Sequence, residues 1–221
     1  MKVIKKLSIL VIGIAVLLVL LTGYLYYFRG YHGSMYTSAA SAKMKKDYRV
    51  TSSGDANGNG VSNIKEISAN GVKLAGTLYD PLKGSINNTG GKMGFIVCID
   101  VPRIAYGQAG ISLADMLESD YEEHPEHYET AGGSNTPDTP YFFRRVRNVY
   151  DFAKGNGMLV QKAEEPKIGD IVFYGRYHST LVVGVHDDGT YDEVEAHPKL
   201  VFVQEHKRKK WIPHDVARIL E

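Results

Sequence analysis

The chain reads as an α+β protein, with helical periodicity in the first half of its folded part and strands in the second. Three observations predict this. Ile64, Ile67, Gly71, Leu74 and Leu78 recur at spacings of three and four, which is one face of a helix. Ser112-Leu113-Ala114-Asp115 has the form of a capping box that opens another helix. From Ile171 onward, short apolar runs alternate with turn residues, and Asp187-Asp188-Gly189 supplies a hairpin turn. Helices first and antiparallel strands afterwards make an α+β domain, here helices packed on an antiparallel sheet.

The elements follow in order. Lys2, Lys5 and Lys6 precede an uncharged apolar stretch over residues 7–28, which closes with Tyr24, Tyr26, Tyr27 and Phe28 before Arg29. That length spans a hydrocarbon core as a helix, and the tyrosines suit the far interface. The basic flank predicts an N-terminus inside and the bulk of the chain outside the cell. We read residues 1–29 as a retained transmembrane signal anchor, so the membrane is one expected partner. The small-residue site Ala40-Ser41-Ala42 lies too far downstream for a cleaved signal peptide, and no cysteine follows the apolar run to carry a lipid. Residues 30–54, rich in Ser, Ala, Lys and Gly, read as a linker.

The folded domain is expected over residues 55–221. A helix over 64–78 is broken by Asp80-Pro81 and the glycine-rich stretch 84–91. The next, over about 96–108, is closed by Gly110. Pro102 is tolerated there if Cys98 lies at the helix start, since first-turn amides lack intrahelical partners. A third helix covers 112–121, a loop 130–140, and a fourth helix 146–154, ended by Gly155-Asn156-Gly157. Strands are predicted over 171–174, 179–185, 191–196 and 200–204.

Charge narrows the function classes. Residues 1–49 hold eight of the 26 Lys and Arg and one Asp, leaving 18 basic and 24 acidic residues in the remainder. A mildly acidic domain has no electrostatic footprint for nucleic acid, so no nucleic-acid partner is expected. Lys207-Arg208-Lys209-Lys210 reads as a solvated hairpin end, and Trp211 as core. No Gly-x-x-x-x-Gly-Lys-Ser/Thr phosphate cradle occurs. His124-Pro125-Glu126-His127 reads as a surface turn, because Pro125 breaks the helix that would align its histidines and no third ligand is evident.

The single cysteine excludes an internal disulfide framework. Cys98 stands where the apolar run before it meets a helix start, and helix N-termini favour a thiolate through backbone amides and the dipole. His178 opens an apolar strand some eighty residues later. A thiol nucleophile needs such a base, brought close by the fold rather than by sequence. Glu195 and His197, on one face of the next strand, are the candidates to orient the histidine.

These pieces resemble a known family. Tyr79-Asp80, Cys98-Ile99-Asp100-Val101, Phe143-Arg144-Arg145-Val146-Arg147-Asn148, Gly169-Asp170-Ile171-Val172, His178 and His197-Pro198 resemble the domain of unknown function 1287 family, itself similar to NlpC-type, papain-like cysteine peptidases. Those peptidases mostly cleave peptide bonds in bacterial cell walls. The resemblance implies a papain-like α+β fold, Cys98 as nucleophile, His178 as general base and His197 as third member, with Glu195 the alternative. It implies catalysis without a cofactor and a cell-wall peptide as partner. Val97-Cys98-Ile99-Asp100 stands where the superfamily has Asp-Cys-Ser-Gly. Asp100, Arg144 and Arg145 are read either as substrate-carboxylate contacts or as structural ion pairs. The function expected is a membrane-anchored extracytoplasmic cysteine hydrolase; the alternative is a non-catalytic wall-binding or scaffold module on the same fold.

A separate motif precedes the domain. Residues 55–66 fit D-x-[DN]-x-[DN]-G-x5-E at every position. Asp55, Asn57 and Asn59 offer side-chain oxygens, Val61 its carbonyl and Glu66 a bidentate carboxylate, while Gly60 permits the turn. Two charged ligands predict low affinity for a structural Ca²⁺, roughly 10⁻⁴–10⁻³ M.

Overall fold

The computed structural model describes residues 2–33, 48–82, 95–130, 134–139 and 141–221. Residues 34–47 of the predicted linker, the Ala40-Ser41-Ala42 site and the glycine-rich stretch 84–91 lie outside the described residues. Helix α1 covers Lys2–Gly33, and within it Lys6–Gly23 is an exposed apolar run of 18 residues. At 1.5 Å per residue that run is about 27 Å long, close to the thickness of a hydrocarbon core.

The chain joins the folded unit from Tyr48, before the predicted boundary at Gly54. Tyr48 is buried with its ring edge-on to Phe152, and Val50 bridges to Leu220 while Ser52 N donates to the Glu221 carbonyl. Backbone pairing with the chain terminus fixes this segment, a contact that composition does not encode.

Helix α2 (Asn63–Lys73) is followed by the short strand β1 (Leu78–Tyr79), which pairs in parallel with β2 (Phe95–Ile96). The predicted helix ends five residues early because Gly76 takes φ +89°, a left-handed conformation that turns the chain and releases Leu78 to the strand. Helices α3 (Asp100–Gln108) and α4 (Leu113–Glu123) come next, and Ser112 caps α4 by accepting from Asp115 N at 3.2 Å. Helix α5 covers Val146–Gly155.

Six strands then form one antiparallel sheet: β3 (Leu159–Val160), β4 (Ile171–Tyr174), β5 (His178–Val185), β6 (Thr190–Glu195), β7 (Gln204–Lys210) and β8 (Asp215–Ala217). Their spatial order is β3-β8-β4-β5-β6-β7. Strands β3 and β8 are too short to show periodicity, and the strand predicted over 200–204 begins at Gln204 instead. The basic run therefore lies inside β7, on the sheet edge, where lysines discourage further pairing.

The packing positions the site. Helices α2 and α3 lie side by side, with Asn70 Nδ2 donating to the Ala105 carbonyl at 3.3 Å. Helix α2 also presses on β5: Ser68 Oγ donates to the Val183 carbonyl at 2.6 Å. A Cβ at Gly71 would fall 2.8 Å from Val183 and 2.9 Å from Leu181, so glycine alone allows this approach. On the opposite sheet face a smaller cluster joins Val172, Val182, Tyr191 and Val216, with half-buried Trp211 donating its indole N–H to the Ala163 carbonyl at 2.8 Å.

Candidate active site

Cys98 sits in the turn immediately before α3. Asp100 builds that turn: its amide donates to the Val97 carbonyl at 2.9 Å, and its carboxylate accepts from Val97 N at 3.0 Å. Pro102 falls at the third helical position, where no intrahelical bond is lost. The predicted helix thus starts slightly later, with the thiol at its mouth.

His178 is the first residue of β5, and its ring lines the same cleft as Cys98, near enough for the sulfur's charge to raise its pKa. The sulfur also lies 4.0 Å from the Tyr177 carbonyl oxygen. On the other side of the ring, His178 Nε2 meets Glu195 Oε1 at 2.8 Å. Nδ1 is therefore the nitrogen left for sulfur. Thiol, imidazole and carboxylate are brought together from the turn before α3, from β5 and from β6.

Of the two candidates for the third position, His197 and Glu195, only one reaches a ring nitrogen of His178. Continuing the β5–β6 register, in which Leu181 opposes Val194, places His197 opposite His178. The two rings meet edge to face, 5.0 Å between centroids at 86°, and His197 Nδ1 accepts from Lys199 N at 3.1 Å. A directly opposite ring can only abut its neighbour; the diagonal Glu195 reaches the ring nitrogen. Glu195, and not His197, makes the hydrogen bond. Its second oxygen meets His206 Nε2 at 2.9 Å. Sequence reasoning missed His206, because the β6–β7 register shifts between Tyr191 and Glu193.

These contacts set the charge states. Burial disfavours a charged imidazole, yet the hydrogen bonds and negative charges of Cys98 and Glu195 outweigh it and push His178 up to about 9. The hydrogen bond from His178, against the opposing effect of burial and with the nearby histidine charges, holds Glu195 down at about 2.

A cleft of about 940 Å³ opens over the thiol, with Tyr79, Phe95, Tyr177, His197 and Leu200 in its walls. Arg144, Arg145, Arg147 and Arg176 also line it, and none of the described lining residues is a carboxylate. Asp100 lies beneath, fully buried. Burial would raise its pKa, but Arg103 and Arg144 hold it at about 2. Arg103 donates from Nη2 at 2.8 Å, and Arg144 donates from Nε at 2.9 Å and again from Nη2. Asp100 and Arg144 are thus paired with each other. Arg145 Nη1 donates to Asn135 Oδ1 at 2.7 Å, while burial and the adjacent Arg147 charge lower its pKa. Burial, then the Cys98 charge, raises the pKa of Tyr79, which keeps its hydroxyl protonated beside the thiol.

Residues 81–206, more than half of the chain, match the family described as "Domain of unknown function (DUF1287)". The chain belongs to that family. The DUF1287 region takes in Cys98, His178, Glu195 and His197 and ends on His206; β8 and the predicted calcium loop lie outside it. No curated protein and no solved structure matches the chain.

That loop has a donor set suited to a hard cation. The Asp55 carboxylate accepts from the amides of Gly58 at 2.8 Å, Asn59 at 3.1 Å and Gly60 at 2.7 Å. Gly58 and Gly60 take φ +73° and +86°, which coils the loop inward. Glu66, in the first turn of α2, returns to Asn57 at 3.0 Å and Asn59 at 2.6 Å. Asn57 and Asn59 thus meet Glu66 through their side-chain amides, while Asp55 is held by the amides of the loop and Val61 follows Gly60 in the chain. The loop also rests on the far end of α3: Asn57 Nδ2 donates to the Gln108 carbonyl at 3.3 Å, and a Cβ at Gly110 would fall 3.0 Å from Asn57.

Proposed function

We propose that the protein is a membrane-anchored extracytoplasmic cysteine hydrolase, papain-like of the NlpC kind, that cleaves amide bonds in cell-wall peptide. The observation that carries this reading is the grouping of Cys98 and His178 on one open cleft, with Glu195 hydrogen-bonded to the far side of the imidazole at 2.8 Å.

In this account the Cys98 sulfur attacks the substrate carbonyl and His178 takes the thiol proton. Glu195 holds the imidazole and stabilises its positive charge, the part played by the third member of a nucleophile–base–acid set. The backbone amide of Cys98 and the Tyr79 hydroxyl stabilise the oxyanion. His178 then gives its proton to the leaving amine, and water, deprotonated by the same ring, releases the acyl group from sulfur. The arginines in the cleft wall, though Arg144, Arg145 and Arg176 already hold Asp100, Asn135 and Asp151, give it a positive field that favours a peptide with free carboxylates. Wall peptides carry such groups. Ca²⁺ held by Asp55, Asn57, Asn59, Val61 and Glu66 would brace α2 and the far end of α3.

The test is release of peptide fragments from purified cell wall by the full-length protein and its Cys98→Ala variant. Wild type should release fragments and form an acyl adduct on Cys98 visible by mass spectrometry, and the variant should do neither. Equal release by both would overturn the reading, and release by neither would leave a wall-binding or scaffold module.

A further inference from the structure

We propose that His124, Glu126 and His127 form a binding site for a divalent transition-metal ion of the zinc class, at the carboxyl end of α4. One ligand atom from each lies within 4.8 Å of the others.

The local geometry is what makes the three side chains meet. Pro125 ends α4 but opens a 3-10 turn over Pro125–His127. With three residues per turn, positions i and i+3 eclipse. His124 and His127 are brought onto one side, their rings stacked 4.9 Å apart at 23°. Glu126, between them in sequence, supplies the third group, its Oε1 3.2 Å from His124 Nδ1. Two ligands on a tetrahedral zinc, each bonded at about 2.0–2.1 Å, stand roughly 3.3 Å apart, so this pair is already near coordination spacing.

His127 is held for the task. Its Nδ1 lies 3.1 and 3.2 Å from the two oxygens of Asp120, which leaves Nε2 for a metal. Asp120 is fully buried and also accepts from the Tyr128 hydroxyl at 2.7 Å and Asn156 Nδ2 at 2.8 Å. A carboxylate behind a ligating imidazole fixes tautomer and ring orientation in metal sites. The ring also lies directly on Gly155, where a Cβ would fall 2.4 Å from Nδ1. The carboxyl end of α4 adds a partial negative charge that favours a cation.

Two imidazoles and one carboxylate suit zinc rather than calcium, and they leave a coordination position for water. The experiment is zinc titration calorimetry on the full-length protein in detergent, carrying Cys98→Ala to remove the thiol as a competing ligand. His124→Ala and Glu126→Gln alter exposed side chains and preserve the fold; circular dichroism verifies this. Each should weaken one zinc-binding event at least about tenfold, and Asp120→Asn should weaken it by about 10–100-fold through the loosened ring. Absence of zinc binding, or binding unchanged by both His124→Ala and Glu126→Gln, would overturn the proposal.

Discussion

Glu195 divides its carboxylate between two histidines, one oxygen 2.8 Å from His178 Nε2 and the other 2.9 Å from His206 Nε2. The second contact steers the carboxylate as the first steers the ring. Glu195→Gln keeps the shape but removes the charge that stabilises the imidazolium. Turnover of a wall-peptide substrate should fall by about 10²-fold, in kcat more than in KM. His197→Ala, which removes only an abutting ring, should cost a few-fold. Steady-state kinetics on both variants decide which residue orients the base.

The raised His178 pKa predicts a pH signature. Its folded value of about 9 exceeds the unfolded value of about 6.5. The proton is thus bound more tightly in the folded state. The stability this provides is complete below about pH 6.5 and lost as pH rises through about 9. Cys98→Ala removes one of the two groups that raise the pKa. An NMR titration should find the His178 midpoint lower in that variant than in wild type, and an unchanged midpoint would contradict the coupling of the ring to the sulfur.

Asp100 lies under the cleft as a buried anchor for Arg103 and Arg144. Asp100→Asn leaves two guanidinium groups facing a neutral amide in a buried setting. Removing one partner of a buried ion pair costs about 3–5 kcal/mol. For a domain of this size that should lower the melting temperature by roughly 10 °C. Thermal denaturation followed by circular dichroism measures it.

The loop over residues 55–66 should respond to Ca²⁺. Millimolar Ca²⁺ should raise the melting temperature of wild type, with half-effect near 10⁻⁴–10⁻³ M. Glu66→Gln should abolish the shift, and Mg²⁺, which demands tighter octahedral geometry, should not reproduce it.

Gly71 tests the packing beneath β5. Gly71→Ala drives a methyl group into Val183 and Leu181 and should destabilise the fold by about 1–3 kcal/mol in urea denaturation.

Much of this architecture was legible in the sequence because it rests on local rules. The 3.6-residue period from Ile64 marks α2, Ser112 marks the start of α4, and the apolar alternation after Ile171 marks β4, β5 and β6. The thiol and the histidine were legible as types in suitable places. Register was not. Whether Glu195 or His197 reaches His178 depends on a diagonal across two strands, and His206 arrives through a shifted pairing in β7. Two-residue strands carry too little pattern to be seen, and the packing of Tyr48–Ser52 on the chain terminus is a tertiary contact with no local signal.

The most direct test of the Cys98–His178 pairing is the rate of Cys98 alkylation by iodoacetamide at pH 6.5 in wild type and in His178→Gln. The account predicts that wild type reacts faster than a free cysteine and that the substitution slows alkylation by about tenfold or more, since the imidazolium that stabilises the thiolate is lost. Equal rates in the two proteins would show that the histidine does not act on the sulfur, and the account of the site would fail.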